Sequence, residues 1–183
     1  MLIKSRAIVL HTLKYNDESL IVELLTEATG CVSFIVRISR SGRAAVRHML
    51  FRPLALLDVE WNHRGGSGLR RLKSALPAVP LVSLPYEPHK TTMALFLAEF
   101  LHHAVRTEQE PGLLFDYIFQ SVEWLDTTNG SCANFHIVFL LRLARFLGFE
   151  PNLSEAGPQT YFDLEGGRFT QTRPQHPNII LPE

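Results

Sequence analysis

Cysteine is scarce: two in 183 residues, Cys31 and Cys132. They stand about a hundred positions apart, one in a strand-like run and one before a helix, so neither a disulfide framework nor a four-cysteine zinc site is available. Two reduced, buried thiols are expected. Net charge is also absent, with 18 basic against 18 acidic side chains, and the total therefore says nothing about a charged partner. Long apolar runs are missing too. The longest uncharged stretch, residues 127–141, is polar at its start and shorter than the roughly 20 apolar residues a membrane-spanning helix needs. The opening Met1-Leu2-Ile3-Lys4-Ser5-Arg6 has neither the apolar core nor the small-residue cleavage site of a secretory signal. A cytoplasmic chain without membrane association is expected. Aromatics are thin in the first eighty residues, where only Tyr15, Phe34, Phe51 and Trp61 of the eighteen occur.

With 46% hydrophobic and 20% charged residues, the chain can bury one good core or two modest ones, which excludes disorder. Its charge is unevenly laid out. Residues 1–80 hold twelve basic and six acidic side chains, and residues 81–183 hold six basic and twelve acidic. That asymmetry suggests two units with different partners, the basic one suited to a polyanion.

Residues 31–39 alternate, with Val32, Phe34, Val36 and Ile38 on one face and Ser33, Ile35, Arg37 and Ser39 on the other, as a half-buried strand requires. Residues 54–61 repeat the pattern, with Ala55, Leu57, Val59 and Trp61 opposing Leu54, Leu56, Asp58 and Glu60. A loop with Gly65, Gly66 and Gly68 leads to a further run, residues 69–76, in which Arg71 and Lys73 share a face. Residues 3–13 and 20–26 are two more β-rich stretches, split by the turn-prone Asn16-Asp17-Glu18-Ser19. Five short strands without intervening helices imply a small barrel, because closure removes exposed sheet edges.

The connection Arg40-Ser41-Gly42-Arg43-Ala44-Ala45-Val46-Arg47-His48 is the most informative stretch of the chain. Residues 37–73 hold nine basic side chains against Asp58 and Glu60 alone. Such a loop can follow a phosphate backbone and release its condensed counterions. The bland role for these arginines is solubility. Arg64, Arg70, Arg71 and Lys73 form a second basic cluster in the same eighty residues and favour binding. With Phe34 and Trp61 assigned to the core, base stacking is a minor contribution, and backbone-tracking, salt-sensitive, sequence-tolerant binding is expected.

Pro77, Pro80, Pro85 and Pro88 mark a boundary. Beyond it the period becomes helical: Met93, Phe96, Leu97, Phe100, Leu101 and Ala104, then Leu114, Tyr117, Ile118, Ser121 and Leu125 with Pro111 in the first turn. A third helix over 135–147 stops at Gly148; its apolar residues wrap nearly all round, which predicts the central, most buried helix of a small bundle. In the proline-rich tail, residues 161–164 and 168–171 flank Glu165-Gly166-Gly167 and read as a β-hairpin. The last residues, Leu181-Pro182-Glu183, add no capping element, as expected of a truncated chain.

Enzyme motifs fail one after another. Glu99 and His102 have the Glu-x-x-His spacing of di-iron bundles, yet no second copy exists. Gly66-Ser67-Gly68 lacks the third glycine of a dinucleotide fingerprint, and no phosphate-binding Gly-Lys-Ser/Thr loop, Gly-x-Ser-x-Gly elbow or His-Glu-x-x-His helix is present. A non-enzymatic protein without metal or cofactor is expected.

The order of these pieces resembles the RecO family of bacterial recombination mediators. The similarity is carried by Ser5-Arg6-Ala7-Ile8-Val9-Leu10, the acidic turn Tyr15-Asn16-Asp17-Glu18, Leu24-Leu25-Thr26-Glu27 leading to Gly30, the arginine-rich loop, Phe51-Arg52-Pro53-Leu54, and the Leu-Gly-Phe-x-Pro-x-Leu of residues 147–153. It spans nearly the whole chain.

The resemblance implies an α+β protein: an N-terminal five-stranded OB-fold barrel (1–80), a helical domain (81–150), and a tail (151–183) with a hairpin where many members have a four-cysteine zinc module. Residues 154–176 contain no cysteine, so zinc is not expected and apolar packing must hold that hairpin. It also implies a DNA-repair protein that binds single- and double-stranded DNA, anneals complementary strands, engages RecR and helps place RecA on DNA coated by single-stranded-DNA-binding protein. The expected DNA-binding residues are Lys4, Arg6, Arg37, Arg40, Arg43, Arg47, Arg64, Arg70, Arg71 and Lys73. The acidic, Phe-ending tail of the single-stranded-DNA-binding protein would meet the third helix at Arg142, Arg145 and His136, with Val138 standing where some members have a basic residue. The rival reading is an adaptor whose basic barrel docks an acidic protein, with DNA held by that partner.

Overall fold

The computed structural model describes residues 1–37, 49–62, 68–105, 112–150 and 152–182. Five strands, β1 (Leu2–Asn16), β2 (Ser19–Thr26), β3 (Gly30–Arg37), β4 (Leu56–Asn62) and β5 (Arg70–Pro77), close in the order β1-β2-β3-β5-β4. This is the small OB-type barrel that the alternating runs lead one to expect. Closure depends on the length of β1, which pairs with β4 through residues 2–8 and with β2 through residues 7–16. A bulge between Val9 and His11 lets the strand turn from one neighbour to the other. At that corner the Leu54 N–H donates to the Val9 carbonyl at 2.8 Å and the Val9 N–H to the Ala55 carbonyl at 3.0 Å. Leu54 takes φ 59° there, a costly conformation for a branched side chain; these two bonds and its burial at 1% exposure hold it in place.

Inside the barrel, Val9, Leu20, Val22, Leu24, Phe34, Leu57, Val59 and Trp61 share one cluster. Phe34 meets Trp61 edge to face, centroids 5.4 Å apart, the arrangement ring quadrupoles favour. The half-buried pattern expected of the fourth strand is not kept. Leu56 lies opposite the core face and is nonetheless buried, as are its register neighbours Ile8 and Leu25. The barrel therefore has a second apolar face, and helix α1 (Pro88–Ala104) packs against β1. The chain divides into two compact units, Met1–His136 and Ile137–Glu183, so α1 and α2 (Gly112–Thr127) share a unit with the barrel.

The proline-rich linker is fastened rather than free. Asp126, near the end of α2, accepts from the backbone N–H groups of Val82 (2.9 Å), Ser83 (2.8 Å) and Leu84 (2.7 Å). Lys90, only 2% exposed, donates to the Ser83 hydroxyl at 2.7 Å and to the carbonyls of Asp126 (3.1 Å) and Thr128 (2.8 Å). The Ser83 hydroxyl also donates to the Asp126 carbonyl. Pro88, read as a breaker, instead occupies the first turn of α1, where its missing N–H costs nothing.

Helix α3 (Phe135–Phe146) ends where expected, with Gly148 at φ 77° and the Phe149 N–H on the Ala144 carbonyl at 3.0 Å. It is not the most buried helix. Only Phe139, Leu143 and Ala144 are buried along it, whereas α2 buries seven residues. Ile137, Val138, Leu141 and Phe146 remain exposed. An apolar pattern on all sides states what a helix can bury; neighbours decide what it does bury.

In the second unit, β6 (Tyr161–Asp163) and β7 (Arg168–Thr170) form the expected hairpin, and β8 (Ile179–Ile180), which the sequence pattern did not reveal, pairs with β6 on the other side. Phe162 and Phe169 meet at 4.9 Å. The Asp163 carboxylate accepts from the Glu165 and Gly166 N–H groups, both at 2.9 Å. A Cβ at Gly166 would come within 2.8 Å of that carboxylate.

Burial pushes the Asp126 carboxyl up, but three backbone N–H groups and the nearby Lys90 ammonium outweigh it and hold the group below its ordinary 3.8. A depressed carboxylate stabilises the fold above its unfolded pKa and loses that contribution as pH falls through the folded one. Asp126→Asn is therefore expected to lower unfolding free energy at pH 7 by about 1–3 kcal/mol in urea melts. The gap to the parent protein should narrow as pH is taken below 3.8.

Candidate nucleic-acid interface

β3 and β5 run parallel, with Phe34 beside Arg70 and Ile35 beside Arg71. Phe34 points into the core, so alternation turns Ile35 and Arg71 outward, followed by Lys73 and, at the end of β3, Arg37. Arg37, Arg71 and Lys73 are exposed. None has an ion-pair partner among the described residues. Arg37 borders two depressions on this seam, one of about 360 Å³ shared with Ser19, Ile35 and Arg71, the other of about 430 Å³ shared with Phe51 and Lys73. Like charges gathered beside a concave surface raise its potential and attract anions. Arg70 differs from this group. It lies on the pleat face of Leu72, half-buried, with its Nη1 closed to solvent and without a hydrogen-bond partner among the described residues.

Lys4 and Arg6 are both engaged within the protein. The Lys4 ammonium sits 2.7 Å from Glu60, whose hydrogen bond raises the Lys4 pKa and lowers that of Glu60. The Arg6 Nε and Nη2 donate to the two Glu27 oxygens at 3.0 and 2.8 Å, and Nη2 also donates to Asp116 on α2 at 3.0 Å. Its guanidinium lies 4.8 Å from the Phe119 ring centroid and 5.4 Å from that of Phe115, a cation–π arrangement. Hydrogen bonding by Glu27 holds the Arg6 pKa further up. Arg6 thus ties β1 to α2. Sequence reasoning missed Glu60, Glu27 and Asp116. The pairing of Lys4 with Glu60 was within reach, since antiparallel registration of β1 and β4 sets them opposite each other. Asp116 gave no signal because helix docking alone brings it there.

Arg40, Arg43, Arg47 and Arg64 lie outside the described residues. On the helices, the His136 ring stands edge-on to Phe96 at 6.2 Å, and its Nδ1 is buried without a partner among the described residues. Arg145 pairs with Glu150 at 3.0 Å. Arg142 is exposed.

Glu99 and His102 do not converge. Glu99 lies 3.0 Å from His103, while His102 lies 2.8 Å from Glu23 and stacks on His11 at 4.6 Å. In the tail, Asp163 and Glu165 face different ring nitrogens of His176, at 3.1 and 3.6 Å, and no cysteine is present. That donor set does not fit the four-cysteine zinc module that the resemblance implies for many family members. Among the described residues no group of three His, Cys, Asp or Glu is placed to hold a metal ion. No helix among them is long and apolar enough to cross a membrane.

Comparison with known families decides the kinship. A family model described as "Recombination protein O N terminal" matches residues 1–80, and "Recombination protein O C terminal" matches residues 85–157. The chain belongs to the RecO family. It is 50% identical to a DNA repair protein RecO of Bacteroides fragilis over 184 residues, which is 100% of this chain and 76% of that protein. Its identity to the DNA repair protein RecO of Phocaeicola vulgatus is 45% over 183 residues, with the same coverage. The Porphyromonas gingivalis protein of that name is 35% identical over 186 residues, again covering 100% of this chain and 76% of its own length. RecO kinship makes the protein a recombination mediator of DNA repair, and the OB barrel is its N-terminal domain.

For this RecO chain the geometry separates cations that are free from cations that are engaged. Arg6→Ala is expected to cost about 1 kcal/mol of stability, kept low because the guanidinium is more than a third exposed, with little change in DNA affinity. Arg71→Ala and Lys73→Ala should leave stability unchanged and each reduce the slope of log K against log salt for single-stranded DNA by about 0.7. Thermal melts and binding isotherms at several salt concentrations check both.

Proposed function

We propose that this RecO chain holds the backbone of single- and double-stranded DNA on its amino-terminal barrel, anneals complementary strands, and acts with RecR to place RecA on DNA coated by single-stranded-DNA-binding protein. The observation that carries the proposal is the row of exposed cations Arg37, Arg71 and Lys73, without an ion-pair partner among the described residues, on one seam of an OB barrel. Arg37 is also where the chain continues into Arg40, Arg43 and Arg47, and Arg64 precedes β5 by six positions. These seven, together with Arg70, are assigned to DNA. The role for annealing is electrostatic: cations neutralise repulsion between two strands while bases stay free to pair, and no bond chemistry is required. Lys4 and Arg6 are assigned to stability rather than to DNA. Arg142, exposed on α3, is the cation assigned to the acidic tail of the single-stranded-DNA-binding protein, with Arg145 and His136 as lesser contributors.

Titration of a fluorescent single-stranded oligonucleotide tests this directly. With about five phosphates neutralised, log K should fall with log salt at a slope near −3.5, and Arg40, Arg43 and Arg47 changed together to Ala should weaken binding equally across sequences. Absence of DNA binding by the protein alone, together with binding of an acidic partner protein, would establish the adaptor reading instead.

A further inference from the structure

Three of the four aromatics in the first eighty residues are buried: Phe34, Phe51 and Trp61. Tyr15 is not. It is 59% exposed at the tip of the β1–β2 hairpin, the unpaired residue of a bulge between Lys14 and Asn16, and bulges re-aim the side chain they release. Two residues earlier Leu13, 54% exposed, is the register partner of Ile21, which pairs with Ile35, which pairs with Arg71. Leu20, Val22 and Phe34 point into the core, so alternation places Leu13, Ile21 and Ile35 together on the outer face.

These residues form a row across four strands, about 14 Å long at the usual strand spacing. Arg71 stands at one end and Arg37 beside it, bordering the same depression as Ile35. The other half of this face is covered by the end of α1, where His102 meets Glu23 and the Cys31 thiol donates to the Val105 carbonyl at 3.5 Å. Leu13 and Tyr15 stay more than half exposed beyond that contact.

We propose that this row is a base platform: unpaired bases of a single strand lie on Tyr15, Leu13, Ile21 and Ile35 while Arg37 and Arg71 hold the adjoining phosphates. A duplex hides its base faces and offers only phosphates to the same surface. The platform therefore supplies preference for single strands, whereas the cations serve both forms. Flanking cations fix the occupant as a polyanion, and the apolar strip between them selects one that exposes flat apolar groups. The expectation from aromatic count alone, that bases contribute little, is revised by the aliphatic row that extends Tyr15.

This inference rests on the DNA-binding reading above, and one experiment separates their fates. The full chain is titrated with oligo(dT) and with a duplex of equal length at one salt concentration, for the parent protein, Tyr15→Ala, Tyr15→Trp and Arg37→Ala/Arg71→Ala. Tyr15→Ala should weaken oligo(dT) binding about five- to hundredfold with duplex binding unchanged, and Tyr15→Trp should restore it. The double arginine variant should weaken both. Equal loss for both nucleic acids, or no loss for either, in Tyr15→Ala overturns the platform and leaves the cationic surface standing. A parent protein that binds neither overturns both. Circular dichroism melts confirm that each variant is folded.

Discussion

The short parallel pairing of β3 with β5, through Phe34 with Arg70 and Ile35 with Arg71, is the contact on which the rest depends. Without it both strands would present open edges, and the barrel would be a curled sheet with unsatisfied backbone groups. The same two-residue register turns Phe34 inward onto Trp61 and aligns Arg71 with Ile35 on the outside. One backbone contact thus closes the core and gathers the cations.

The charge of the amino-terminal half is divided by this geometry into two kinds. Lys4 and Arg6 face carboxylates, with Arg6 reaching across to Asp116, and their charge is spent on cohesion. Arg37, Arg71 and Lys73 stand on a seam where no described carboxylate comes within ion-pair distance. A polyanion is the partner that such a seam accommodates at low cost, since it replaces mutual repulsion with attraction. That division fits the proposed reading, in which the barrel stays folded while it takes up and releases DNA.

Beyond the barrel, cohesion comes from buried charged groups. Lys90 and Asp126 are almost fully buried, and together they fasten residues 82–84 and Thr128 to two helices. A charged pair can be interior only when each lone pair and proton is satisfied, and here backbone groups supply the partners. The tail solves a similar problem with Asp163, which caps its own turn.

Residue alternation and period by themselves determined five strands, a barrel, three helices and a hairpin, because these local patterns depend on side-chain spacing along the backbone. Motif order was enough to indicate the family, and the basic excess of the first eighty residues pointed to a polyanion. Tertiary structure alone decided which cations are available, since pairing of Arg6 with Asp116 joins residues 110 positions apart. It likewise decided that α2 rather than α3 is the most buried helix, that Leu56 and Ile8 are covered on the barrel's outer side, and that β8 completes the small sheet. Burial and ion pairing are properties of neighbours in space, and a linear pattern records only the capacity for them.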